Sequence, residues 1–132
     1  MIFVDTSFWA ALRNPRDDRR REALALWEQH ADRPLVTTNH VVGETWTLLR
    51  RRADHRRAVQ FLDAMDASPR VDVRHVAPTI ELDALRWLRR HDERACSFVD
   101  ATSFAVMRTL RIQQALAFDG DFSAVGFQEL RT

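Results

Sequence analysis

Four carboxylates, Asp5, Glu44, Asp100 and Asp119, stand where a folded chain could gather them. Asp5 closes the short apolar run Ile2-Phe3-Val4, and Asp119 closes Ala115-Leu116-Ala117-Phe118. Asp100 follows the helix-capping residue Ser97, and Glu44 lies about one turn into a helix that starts at Thr38 or Asn39. Two carboxylates about 4 Å apart repel by ~4 kcal/mol at an effective dielectric near 20. A cluster of them is tolerated if protons are taken up, if arginine intrudes, or if a divalent cation binds. With no Cys or His beside them, hard oxygen ligands favour Mg²⁺ or Mn²⁺ over zinc. Mg²⁺ keeps several waters and leaves positions open for phosphate oxygens, which suits attack of activated water on a phosphodiester.

Each acid also has an ordinary structural role open to it. Asp5 can cap the helix that follows it. Glu44 can pair with one of the many arginines, and Asp100 can complement a helix N-terminus. Asp119 can serve the turn before Gly120, and Asp121 can cap the short turn before Phe122. Only their convergence would separate the chemical reading from these.

The elements that must do the positioning are legible as an alternation. Ile2-Phe3-Val4 is short and rich in β-formers, as a buried strand would be. Thr6 or Ser7 is expected to cap a helix from Phe8 to Arg13, ended near Pro15. A second helix is expected from Asp17 to His30, with Ala23, Leu24, Trp27 and Ala31 as its apolar stripe. Leu35-Val36-Thr37 follows as a buried strand, then a helix bearing Val41, Val42, Thr45, Trp46, Leu48 and Leu49. Ala58, Phe61, Leu62 and Met65 mark a fourth helix by their spacing. Val71 to Val76 alternates with period two and predicts a half-exposed strand. Pro78 opens a helix carrying Ile80, Ala84, Leu85, Trp87 and Leu88. The segment from Phe98 to Leu110 is apolar on almost every side and predicts a central helix. Ala115 to Phe118 is a fourth strand, and the tail around Phe127 a last short one.

Strands separated by helices imply a parallel sheet with helices on both faces. The expected fold is therefore α/β, a three-layer α/β/α sandwich with a short parallel sheet of four or five strands, built as one domain over residues 1–132. Right-handed crossovers would bring the C-terminal strand ends to one rim, where ligands of open α/β sheets bind.

Composition narrows the class further. The 132 residues are 45% hydrophobic and 30% charged, which places the chain among globular proteins. No apolar run approaches the roughly 20 residues of a membrane span. The apolar start ends at Asp5, too soon for a signal-peptide core. A cytoplasmic protein without membrane contact is the expectation. All 20 basic residues are arginine. The absence of lysine excludes P-loop nucleotidases and receiver-type domains, and no glycine-rich phosphate-binding string occurs. The single cysteine, Cys96, can form no internal disulfide. The five histidines lack metal-ligand spacing. His40 lies one helical turn before Glu44 and is the one to follow. The four tryptophans fall at helical apolar positions, as core or interface residues would.

The ordered set Ile2-Phe3-Val4-Asp5-Thr6-Ser7, helical Glu44, Asp100 opening a late helix, and Phe118-Asp119-Gly120-Asp121-Phe122 resembles the PIN-domain nucleases. Length and acid order resemble the VapC-type toxins of bacterial toxin–antitoxin pairs. The resemblance spans essentially the whole chain. It implies an endoribonuclease dependent on Mg²⁺ or Mn²⁺ that hydrolyses RNA with metal-activated water. It further implies a cognate antitoxin, whose arginine can enter the acidic pocket, and a homodimer. Carried over by position, Asp5 and Asp100 would hold the metal directly, and Glu44 and Asp119 would act through water. Thr6, Ser7 and Asp121 would support them. Arg50, Arg51 and Arg52, with Arg56 and Arg57, form the densest basic cluster, and Arg19, Arg20 and Arg21 the next. A charge run is ordinarily a solvated helix face, but Arg50, Arg51 and Arg52 are candidates to contact RNA backbone, and one such cluster flanking the acidic rim would offset its repulsion of phosphates. The alternative on the same fold is a non-catalytic nucleic-acid-binding or regulatory module, which a degenerate acid set would have favoured. A haloacid-dehalogenase-type phosphatase needs a second Asp where Ser7 stands and a lysine that is absent.

Overall fold

The computed structural model describes residues 1–132. The chain alternates as β1 (Ile2–Val4), α1 (Thr6–Arg13), α2 (Arg20–Gln29), β2 (Leu35–Thr38), α3 (Asn39–Arg52), α4 (His55–Ala67), β3 (Val71–Arg74), α5 (Pro78–Arg90), α6 (Phe98–Leu110), β4 (Gln114–Leu116), α7 (Asp121–Ala124) and β5 (Gln128–Glu129). The five strands form one sheet in the order β3-β2-β1-β4-β5, and every pairing is parallel. The order reverses at β1. Right-handed crossovers therefore place α1 to α4 on one face and α5 to α7 on the other, giving the three-layer α/β/α sandwich. The reversal leaves a crevice beyond the C-terminal ends of β1 and β4.

The core divides along the same lines. Trp9 packs edge-on to Trp27 and Phe8, and against Phe61, on the α1–α4 side. Phe3, Phe104, Phe122 and Phe127 cluster on the other. Strands β1 and β2 are buried along their whole length, as a central parallel strand must be. Helix α6 is buried from Asp100 to Met107, in keeping with its all-round apolar sequence.

Several boundaries differ from the sequence reading, each for a local reason. Asp5, rather than Thr6 or Ser7, caps α1, because its carboxylate accepts the Ser7 N–H at 3.1 Å. Helix α2 begins at Arg20, because Asp17 spends its carboxylate on the Arg19 N–H (2.8 Å) and turns the chain. Its buried residues are Ala23 and Leu26, whereas Leu24 is 41% exposed. Strand β3 stops at Arg74, and the Val76 N–H goes to the Asn39 side chain instead of a ladder. Strand β4 ends at Leu116, because the Phe118 N–H is taken by the Ser7 hydroxyl at 3.0 Å. Asp119 therefore sits in the loop beyond the strand. Gly120, not Asp121, is the cap of α7, at a φ of 82° that favours glycine.

Candidate active site

Each acid reaches the crevice on its own element, and each is held by a short local pattern. Asp5 ends β1. Its Oδ2 accepts both the N–H and the hydroxyl of Ser7, at 3.1 and 2.7 Å. That hydroxyl also accepts the Phe118 N–H, so Ser7 ties the end of β1 to the segment after β4. Asp100 closes a capping box with Ser97: its N–H donates to Ser97 Oγ and its Oδ2 accepts the Ser97 N–H, both at 3.0 Å. Asp119 Oδ1 accepts the Asp121 N–H at 3.1 Å. In all three, one oxygen is fixed by backbone and the other is left for a ligand.

Ligand oxygens of Asp5, Asp100 and Asp119 lie within 4.8 Å of one another. They line a cavity of about 360 Å³ together with Thr6, Ser7, Glu44 and Arg52. Asp5 is 1% exposed and Asp100 8%. Asp5 Oδ1 is buried without a hydrogen-bond partner, as is Thr6 Oγ1. Burial first, and then the charge of Asp119, push the Asp5 carboxyl up to about 8. Burial is the main cause that pushes Asp100 up to about 6, with Asp119 and Asp121 adding repulsion. Asp119 is raised as well, chiefly by burial. Such a group lacks positive charge at its centre. An oxygen-only donor set with an orphaned buried oxygen fits a hard divalent cation.

Glu44 lines the same cavity but stands outside the three-carboxylate group, and it forms no ion pair with any arginine. Asp121 is paired with Arg94 at 2.8 Å. Asp121 also forms a second close group with Cys96 and Asp100. Burial, followed by the neighbouring acids Asp121 and Asp100, pushes the Cys96 thiol up, which keeps it protonated and a poor ligand. Of the arginine cluster only Arg52 reaches the cavity; Arg50 and Arg51 point to solvent from the end of α3. His40 is turned away from it, paired with Glu81 at 3.2 Å and stacked on Phe98.

The sequence reading missed two contributors, Asp17 and Glu129, and offered Arg19 only within the basic cluster of Arg19, Arg20 and Arg21. Asp17 and Arg19 line the rim, delivered by the turn that delays α2. Arg19 lies over the Phe118 ring, 5.0 Å from its centroid. Glu129 on β5 accepts the N–H groups of Gly120 and Ser123 and so holds the loop that carries Asp119. The side-chain turn at Asp17 was a readable signal, as an Asx turn two residues before Arg19. Glu129 had none, because its role depends on β5 pairing beside β4.

The PIN domain family matches residues 2–128. The chain belongs to the PIN domain family. PIN relatives extend the match in detail. The chain is 59% identical over 133 aligned positions to the 23S rRNA-specific endonuclease VapC20 of Mycobacterium tuberculosis, in strains H37Rv and CDC 1551, covering 99% of this chain and 98% of the relative. The crystal structure of M. tuberculosis VapC20, described as a sarcin–ricin loop cleaving toxin, superposes with a TM-score of 0.93 at 57% identity, with both chains covered completely. This PIN protein is a ribonuclease of the toxin class.

Proposed function

We propose that this chain cuts 23S ribosomal RNA in its sarcin–ricin loop, with residues 1–132 acting as one nuclease domain and Mg²⁺ or Mn²⁺ held by Asp5, Asp100 and Asp119. The observation that carries the chemistry is the meeting of three carboxylates around an orphaned, buried Asp5 oxygen. The target is inferred from the activities for which the relatives are named.

A bound divalent ion supplies positive charge to the phosphate and makes a coordinated water more acidic. The chain's own residues do the rest. Ser7 and Ser97 fix one oxygen of Asp5 and Asp100 each, so the free oxygens are aimed before substrate arrives. Glu44, on the cavity wall and unpaired, is placed to accept a proton from the attacking water. Arg52 and Arg19 at the rim offset the repulsion between the acids and the RNA phosphates. Asp121 holds Arg94 beside the Asp119 loop.

A cognate antitoxin, a homodimer and action in the cytoplasm, where ribosomes are found, belong to the same reading. An antitoxin guanidinium would pair with the free carboxylate oxygens in place of the ion. No helix is long and apolar enough to cross a membrane.

The test is cleavage of purified ribosomes with Mg²⁺ or Mn²⁺ present, mapped by primer extension. A single cut in the sarcin–ricin loop, lost in Asp100→Asn and in chelator, is the expected result. Intact 23S rRNA under all metal conditions would refute the target assignment.

A further inference from the structure

A second cavity, of about 380 Å³, opens where α1, α2 and α4 meet. Arg13, Arg20 and Arg57 all line it, beside Gln60 and Trp27, and no carboxylate does. Three cations sharing a space without an acid repel one another as the three acids do in the crevice. Arg13 ends α1 half-buried; its Nε is shut off from solvent without a hydrogen-bond partner, and it has no ion pair. Arg20 gives one N–H to the Leu12 carbonyl at 2.9 Å. Arg57 meets only Asp54, at 3.7 Å, on the solvent side. Burial and the charge of Arg20 lower the Arg13 pKa, so this guanidinium lacks negative charge around it.

The two cavities follow one another along α1. Ala10 lines the acidic crevice, and Arg13, one turn further, lines the basic pocket. On α3, Glu44, Leu48 and Arg52 run along the crevice towards the corner from which α4 brings Arg57. Eight residues of helix separate Asp5 from Arg13 by about 12 Å, a few phosphates along a nucleic-acid strand.

We propose that the Arg13–Arg20–Arg57 pocket binds a backbone phosphate of the RNA, a short way along the strand from the scissile bond. The inference rests on the ribonuclease reading above and adds a second anchor to it. Guanidinium forks take phosphate oxygens in pairs, and such contacts fix register without reading bases. Both ends of the strand segment are then held, one phosphate at the acids and another at the arginines. The pocket therefore selects RNA by the path of its backbone.

The test is binding of a fluorescein-labelled sarcin–ricin stem-loop to the Asp100→Asn protein, read by anisotropy over a range of salt with Mg²⁺ present. Arg13→Gln and Arg57→Gln are each expected to weaken binding about tenfold and to lower the slope of log Kd against log salt by about one. Arg13→Lys recovers part of the loss, and Arg89→Gln, exposed on α5 across the sheet, changes neither quantity. Thermal melts establish that each variant is folded. Parental affinity and slope in both pocket variants would overturn the proposal. So would a loss confined to binding of an acidic partner protein, which would reassign the pocket. The two readings fail separately. A chain that leaves 23S rRNA intact yet loses stem-loop affinity on Arg13→Gln keeps the pocket and loses the target. One that cuts the loop with an unchanged KM in Arg13→Gln keeps the target and loses the pocket.

Discussion

The two ends of α1 are opposites built on one plan. At its N-terminus Asp5 is buried among acids with an oxygen that has no partner; at its C-terminus Arg13 is half-buried among arginines with a nitrogen that has none. The helix dipole favours both, an anion at its start and a cation at its end. Neither pole is neutralised from within the protein. The acidic pole is the deeper and more constrained, with one oxygen of each carboxylate tied to backbone. The basic pole is more open, with long side chains and fewer fixed atoms. The difference separates two tasks: the rigid pole suits chemistry at a point, and the looser pole suits holding a flexible strand.

The largest effect comes from removing an acid. Asp5→Asn keeps the helix cap, because Asn also caps well. It is expected to cost on the order of a thousandfold or more in cleavage rate, several kcal/mol of transition-state stabilisation. RNA affinity should be unchanged or improved, since one negative charge has gone. The metal-free variant should melt above the parent, because the carboxylate that burial disfavours has been removed. An Asp5→Asn protein less stable than the parent without metal would break the comparison.

Next in size is the coupling of pH to metal. The folded Asp5 carboxyl titrates near 8, above its unfolded value of 3.8. Without metal, the folded state therefore binds the extra proton over that interval, and stability falls as pH rises from about 4 to 8. A divalent ion needs the ionised form, so its stabilisation grows over the same interval. The Mg²⁺-induced shift in melting temperature is expected to be larger at pH 8.5 than at pH 6. Equal shifts at the two pH values would place the metal away from Asp5.

A smaller effect tests the clamp between strands. Ser7→Ala removes the 2.7 Å hydrogen bond to Asp5 and frees the Phe118 N–H. About tenfold in cleavage rate and about 1 kcal/mol in stability are expected to go. Turnover should suffer more than RNA binding, whereas the basic-pocket variants do the reverse. The smallest effect sharpens the contrast from the other side. Arg50→Gln and Arg51→Gln, both exposed and lining neither cavity, should change KM by less than about twofold, unlike Arg52→Gln at the crevice.

Much of the crevice could be read along the chain, because its supports are local. Asp5 with Ser7, Ser97 with Asp100, and Asp119 with Asp121 are contacts across two or three residues, and each leaves a recognisable pattern. Strand and helix types were legible from periodicity. Boundaries slipped where a side chain took a backbone N–H that propensity would have left to a helix or strand, as at Asp17, Asn39 and Ser7. Arg13 carries no such pattern, and Arg57 shows in the sequence only as one member of a basic run. They lie 44 residues apart in sequence and meet only because α4 packs near α1. Glu129 is legible only once β5 lies beside β4.

The sequence alone determined the alternation of strands and helices, the acids that end or open those elements, and the absence of any lysine-based chemistry. These follow from short-range rules, in which hydrophobic period and capping act within a turn or two. Tertiary structure decided that three of the four acids meet closely while Glu44 stands on the wall. It also decided that Arg52 alone of its cluster faces the crevice, and that the arginines of three helices share a pocket. Those outcomes depend on how the sheet order reverses at β1 and on how helices cross, and each is set by packing summed over the whole core.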